Sequence, residues 1–249
     1  METTGTARQA PVVIATDLTL GDLRSALRAG WQDFLARPLF GLFFGGIFAV
    51  AGMFLYVALF AWGEPFWLIP ATAGFPLLAP FAAVGLYEVS RRREAGMTIG
   101  WGPVLGALRG QGDEQLLSMG GLVFVGFSFW LGVAHGIFAI FMAESGIGAE
   151  SLAMFATPAG LAMLAVGSAA GGLMALAFYS LTVISLPMLV DRPVDFMTAM
   201  ITSLRVMKAN LPVMLAWAAL VAVVLTLALL PLFMGLLVAL PVLGHATWH

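Results

Sequence analysis

Read for apolar and polar positions alone, the chain is a series of long apolar runs separated by short polar stretches. The runs fall at about 38–62, 66–87, 117–142, 161–189 and 211–249. Each of the first four has the ~20 residues that carry an α-helix across a hydrocarbon core about 30 Å thick. The last run, as one helix, would be about 58 Å long at 1.5 Å per residue, so it is expected to fold back. Pro231 and Gly235 are the breakers near its middle and place a tight turn there. The pattern predicts an all-α membrane protein of about six transmembrane helices. The expected spans are 38–62, 66–87, 117–142, 161–189, 211–230 and 232–249, in a single polytopic membrane domain over 17–249 that follows a disordered tail over 1–16. The first apolar run begins too far in, and is too long, for a signal-peptide core.

The polar stretches between runs carry a pattern of their own. In 19–37, Thr19 and Asp22 have capping-box spacing, and Leu20, Leu23, Leu27, Trp31 and Phe34 recur at helical period. In 193–209, Pro193 suits a first helical position, and Phe196, Met200, Leu204 and Met207 form a stripe with Arg205 and Lys208 off it. Such helices lie in the headgroup plane or pack on the ends of the protein's own spans, and the two readings are compatible. Leu-Arg pairs at 27–28, 108–109 and 204–205 precede the odd-numbered spans. Pro-containing segments at 75–78, 186–189 and 240–243 sit toward the ends of the even-numbered ones. These short matches suggest three hairpins, each preceded by an interfacial amphipathic helix, related by an axis along the membrane normal.

Composition agrees with the pattern. Charged residues are only 10% of the chain and the mean hydropathy is +1.00, where a soluble domain carries about 25% charged residues. The formal net charge of −2 makes nucleic acid an unexpected partner. Absence of cysteine excludes disulfides, thiolate metal sites and a cysteine nucleophile. Charge placement sets an orientation. Arg8, Arg24, Arg28 and Arg37 precede the first span, and Arg91, Arg92, Arg93 and Arg109 follow the second. Arg192, Arg205 and Lys208 follow the fourth, which completes the 11 basic residues. The other side carries Glu64, Glu144 and Glu150. By the positive-inside rule the basic side, with both termini, is cytoplasmic.

Candidate chemistry is sparse. The central parts of the expected spans contain no Asp, Glu, Lys or Arg, which argues against ion-coupled transport and against acid–base catalysis at membrane depth. His135 is the ionisable side chain set well within a span; one histidine without a matched partner is a poor ligand set, so a neutral residue bonded to a neighbouring helix is expected. His245 and His249 are four apart and share a helical face. No carboxylate or cysteine is expected near them to complete a metal shell, so they read as structural or interfacial. Arg91, Arg92 and Arg93 are candidates for binding anionic lipid headgroups, against the commoner role of a positive anchor. Gly41 and Gly45, Gly132 and Gly136, and Gly167 and Gly171 are spaced by four, as at close helix contacts inside a bundle or with a partner subunit.

At its end the chain reads Leu240-Pro241-Val242-Leu243-Gly244-His245-Ala246-Thr247-Trp248-His249. This resembles the closing motif of a bacterial integral-membrane family, the domain of unknown function 2189. The stretch from Pro76 through Tyr87 to Arg93, and Asp191-Arg192-Pro193-Val194 through Asn210 and Trp217, are similar to it as well. The resemblance covers about 17–249 and implies a bacterial inner-membrane protein of about six spans. Some members of that family carry oxidase-subunit labels, but the histidine-rich constellation of a haem–copper subunit is missing here. The expectation is a non-enzymatic accessory or assembly subunit of a larger inner-membrane complex, respiratory or photosynthetic. It would have no cofactor or metal, with membrane lipids and other subunits as partners. The alternative is a passive small-solute carrier or lipid-binding protein with a cavity on the pseudo-threefold axis that relates the hairpins.

Overall fold

The computed structural model of the chain describes residues 14–63, 83–107, 115–142 and 156–249. Every regular element among them is a helix. In chain order these are α1 (Leu20–Ala36), α2 (Pro38–Ala61), α3 (83–94), α4 (Trp101–Gly106), α5 (Gln115–Met142), α6 (Pro158–Thr182), α7 (Ser185–Asp191), α8 (Phe196–Ala209), α9 (Leu211–Leu229) and α10 (Leu236–Trp248). Among the described residues four helical stretches are long and apolar enough to cross a membrane: Pro38–Ala61, Gln115–Phe141, Pro158–Asp191 and Leu211–Leu229. The short segments α1, α4 and α8 come before α2, α5 and α9, the order the repeat pattern predicts.

One expected span lies largely outside the described residues, and another is shorter than expected. Of 66–87, only 83–87 lie among the described residues, as the start of α3. At the expected sixth span, 232–249, the structure has a shorter apolar helix. Residues 230–235 are turn, with left-handed backbone at Leu232 (φ 48°) and Phe233 (φ 67°). That leaves α10 with 13 residues, about 20 Å of helix against a core of about 30 Å. The turn sits where Pro231 and Gly235 predict it. At Gly235 a Cβ would lie 2.6 Å from the Ala228 carbonyl oxygen, so the chain reverses against α9 only with glycine there.

Local chemistry explains the helix ends. Thr19 caps α1 in a reciprocal box: Asp22 N–H donates to Thr19 Oγ1 at 3.4 Å and Thr19 N–H donates to Asp22 Oδ2 at 2.7 Å. The tail ahead of it is tied down from residue 14 on. Asn210, buried between α8 and α9, accepts from Leu18 N–H at 3.0 Å and donates to the Ala15 carbonyl at 2.8 Å. The ordered chain thus reaches into the 1–16 segment, whose first 13 residues lie outside the described ones. Helix α8 starts at Phe196 rather than near Pro193, because Asp195 accepts from Thr198 N–H at 2.8 Å and caps it. Its buried face is Ala199, Thr202, Ser203, Val206 and Met207; of the predicted stripe, Met207 lies on that face, Phe196 and Met200 pack half-buried against the core, and Leu204 is half-buried.

The reason for that polar inner face is a break in the third long helix. Pro187 has no N–H for the Val183 carbonyl, and residues 183–184 form a turn between α6 and α7. Ser203 fills the gap. Its hydroxyl donates to the Ser180 carbonyl at 2.7 Å and accepts from Ile184 N–H at 3.3 Å. It stands between the two groups that an unbroken helix would join directly. Ser203 is fully buried there, where an unpaired backbone group would cost about 1–3 kcal/mol.

Elsewhere packing follows shape. Helix α10 lies between α1 and α2. A Cβ on Gly30 would stand 2.5 Å from the Ala246 nitrogen, and one on Gly45 would stand 2.8 Å from the Leu236 carbonyl oxygen, so backbones meet at both crossings. Helices α5 and α6 pack through Val123, Trp130, Phe127, Met174 and Phe178. Near one end, α3, α5, α7 and α8 close a second cluster around Val84, Tyr87, Met119, Leu186 and Leu189.

Candidate functional site

Two faces of α10 define the region of interest. Val242, His245, Ala246 and His249 turn toward α1 and α3, while Leu240, Leu243, Gly244 and Thr247 line a cavity shared with α3, α6 and α9. The second set has the i, i+3, i+4, i+7 spacing of one helical stripe.

The first face builds a buried polar clamp. Asp33 of α1 is 1% exposed, which by itself would demand partners. It has three. Its Oδ2 accepts from the Ser90 hydroxyl at 2.5 Å and faces His249 Nε2 at 3.0 Å, and its Oδ1 is paired with Arg93. Ser90 Oγ also lies 2.8 Å from His245 Nδ1. A serine has one hydroxyl hydrogen, and the ionised Asp33 takes it, so His245 carries its proton on Nδ1 and donates to Ser90. His245 is fully buried, and its Nε2 makes no hydrogen bond among the described residues. His249 is bracketed by two carboxylates, Asp33 and, at 2.9 Å from Nδ1, Glu94. Trp248 adds an indole N–H donated to Glu94 at 2.9 Å.

Protonation follows from these contacts. Burial pushes the Asp33 carboxyl up, but the hydrogen bonds from His249, Ser90 and Arg93 together outweigh it and hold it at about 2. For His249 the hydrogen bond to Asp33 raises the imidazole above its ordinary value, against the opposing effect of burial and with help from the charge of Glu94. One carboxylate therefore joins three elements, α1, α3 and α10.

Beside the clamp, Glu88 is 4% exposed and accepts from Arg91 at 2.7 and 2.8 Å and from Arg92 at 2.5 Å. The three arginines predicted as headgroup candidates are thus all engaged in ion pairs. Arg93 is the one with the most open side chain, 41% exposed against 19% for the other two. The expectation that no carboxylate stands near His245 and His249 is corrected: Asp33 and Glu94 are both brought to them. Even so, among the described residues no group of three or more His, Asp or Glu side chains is placed to hold a metal ion. His135 is exposed on α5. Of the glycine pairs, Gly41 and Gly45 face α10, and Gly171 lies under the Trp130 ring. A Cβ on Gly132, Gly136 or Gly167 would meet nothing within 4 Å.

Asp33, Ser90 and Asn210 escaped the sequence reading. A signal existed for Asp33, since it sits between Gly30 and Phe34 on the buried side of an amphipathic helix.

The second face of α10 closes a cavity of about 440 Å³, between α3, α6, α9 and α10. That is within the range of small-molecule sites, about 300–1,000 Å³. Its wall is largely Ala, Leu, Val and Gly. The polar side-chain atoms in it come from Tyr87, Tyr179, Thr182, Trp217 and Thr247, and no charged side chain among the described residues lines it.

Among known families, the one described as "Predicted integral membrane protein (DUF2189)" matches residues 68–191, a stretch that contains Tyr87, Ser90, Arg93 and Glu94 as well as all of α5, α6 and α7. Neither a curated protein nor a solved structure matches the chain. Apolar helices long enough to span and the description of the matching family thus agree on an integral membrane protein, and the chain's likeness to DUF2189 covers residues 68–191.

Proposed function

We propose that the protein is a non-enzymatic membrane protein that holds an apolar, lipid-like molecule in the cavity between α3, α6, α9 and α10. The observation that carries the reading is the cavity itself: about 440 Å³, walled largely by apolar side chains and, among the described residues, by no charged one. Apolar space of that size is filled by hydrocarbon at little cost, whereas water in it lacks the 2–4 polar partners it needs. The clamp on the opposite face of α10 holds that wall in place. Occupancy is testable by native mass spectrometry of the full chain released from mild detergent. Wild-type protein should retain lipid-mass adducts. Gly172→Phe, whose Cβ enters open space at the cavity wall, should lose them while melting at an unchanged temperature. Equal adduct retention by the two proteins would sink the reading.

A second reading has its own support. In an 18-residue stretch of the span 115–141 only 11% of the residues are buried, against 39% in one of 158–191, and a Cβ on Gly132 or Gly136 would meet nothing within 4 Å. An accessory or assembly subunit, docking α5 against other inner-membrane subunits, would use that face. Migration as a lone small species on native gels after mild extraction would count against it. In either reading the membrane is the bacterial cytoplasmic one and the clamp end faces the cytoplasm, because the basic residues gather there. A reporter fused after His249 that is active only outside the cytoplasm should stay silent.

A further inference from the structure

We infer that the molecule in the cavity is a neutral long-chain compound bearing a carbonyl oxygen, seated with that oxygen toward Tyr87 and Trp217. This rests on the cavity being a binding site and specifies its ligand.

Hydrogen bonds made and not made single out two side chains. Three hydroxyls in the wall donate to nearby carbonyls: Thr182 to Phe178 at 2.8 Å, Thr247 to Leu243 at 2.8 Å and Tyr179 to Met214 at 3.0 Å. Tyr87 and Trp217 do not. Each residue is 3% exposed and lines the cavity, yet among the described residues neither the Tyr87 hydroxyl nor the Trp217 indole N–H makes a hydrogen bond, and neither atom is sealed in protein as His245 Nε2 is. Buried tyrosine and tryptophan ordinarily find a partner for that polar atom. The wall therefore offers two surplus donors.

Charge narrows the class. Among the described residues no Asp or Glu lines the cavity to receive a cation, and no Lys or Arg lines it to receive an anion, so a charged group would lose its water without compensation. What remains is a neutral acceptor. In a membrane that means the carbonyl of an acyl ester or of a lipid-soluble quinone.

Position gives the direction. Tyr87 lies one turn before Arg91, and Trp217 lies about 9 Å of helix from the start of α9. Thr182 and Thr247 also belong to the clamp end of their helices. The far wall, at Gly172, Ala222 and Leu225, presents no side-chain polar atom. From Gly172 to Thr182 is about 15 Å along α6. The cavity is thus a slot with a donor-bearing end and a hydrocarbon end, as an uncharged amphiphile requires.

The test uses full-length protein in detergent and three probes, ethyl laurate, a decyl-substituted benzoquinone and tetradecane, titrated with native mass spectrometry as the readout. Tyr87→Phe and Trp217→Phe should each weaken binding of at least one carbonyl probe about five-fold, the loss of one hydrogen bond, and leave tetradecane unchanged. The probe affected tells ester from quinone. Wild-type affinity for both carbonyl probes in both variants, or an equal loss for tetradecane, overturns the inference while leaving the cavity a hydrocarbon site. Gly172→Phe separates the two levels: if it binds all three probes like wild type, the cavity reading itself falls. Should Trp217→Phe melt early, Tyr87→Phe decides alone, since it removes one oxygen and keeps the ring.

Discussion

Replacing Asp33 with asparagine tests the clamp at its centre. The substitution keeps the shape and removes the charge. The new amide would offer one carbonyl oxygen to three donors, Ser90, Arg93 and His249, and would aim its N–H at one of them. A carboxyl held at about 2 rather than 3.8 stabilises the folded state by about 2 kcal/mol, at about 1.4 kcal/mol per pH unit. Breaking a buried pair by removing one partner costs about 3–5 kcal/mol, so about 2 is a lower bound. For a chain of this length that corresponds to a melting temperature about 4–8 °C lower. The pH dependence has a defined form. Asp33 is depressed in the folded state, so its stabilisation is complete above 3.8 and is lost as pH falls from 3.8 through about 2. His249 is raised, so its share is complete below 6.5 and is lost as pH rises through its folded value. The gap between wild type and Asp33→Asn should therefore be widest between about pH 4 and 6.5 and narrow on both sides. Melting in detergent micelles across about pH 3–9 measures it. Amide exchange of residues 30–36 and 240–249 localises it, since those segments should open first. A variant that melts within about 1 °C of wild type at about pH 5.5, with unchanged exchange in α10, would refute the clamp.

Other substitutions probe the contacts around it. Gly30→Ala should push α1 away from α10, because its Cβ would meet the Ala246 backbone at 2.5 Å. About 1–3 kcal/mol should be lost, whereas Gly132→Ala, with open space at its Cβ, should melt no lower than wild type; chemical denaturation in micelles compares them. His249→Gln should abolish the loss of α10 protection as pH rises above 6.5, read by hydrogen exchange at about pH 6 and 8.5, and an undiminished pH response would assign it elsewhere. Asn210→Ala removes the bonds to Leu18 and Ala15 and should cost about 1–2 kcal/mol. It should also expose residues 14–19 to limited proteolysis before any other described segment; uniform susceptibility would contradict that.

Much of the architecture is legible in the sequence because it depends on neighbours along the chain. Membrane class, the long apolar helices, the Thr19–Asp22 box and the turn at 230–235 follow from hydropathy, capping geometry and the backbone limits of proline and glycine. The same is true of the gathering of Lys and Arg at particular segments. The length of α10 was less legible. An apolar run shows how many residues lipid would accept, not how many the turn at Leu232 and Phe233 takes out of the helix.

What only the tertiary structure decided is which distant residues meet. Asp33 and His249 are separated by 216 positions, and no periodicity along the chain pairs them. Their contact exists because Gly30 and Gly45 let the backbones of α1 and α2 close on α10. Ser203 looks like an ordinary helix residue until the break before Pro187 gives it two backbone groups to satisfy. The cavity likewise belongs to no segment. It is the space left where α3, α6, α9 and α10 pack around small side chains, and the free donors of Tyr87 and Trp217 gain meaning only once those four walls are in place. Local propensity and solvation act over a few residues and are written in the sequence directly. Packing, burial and the pairing of buried charge act through space, and the fold alone fixes which groups they join.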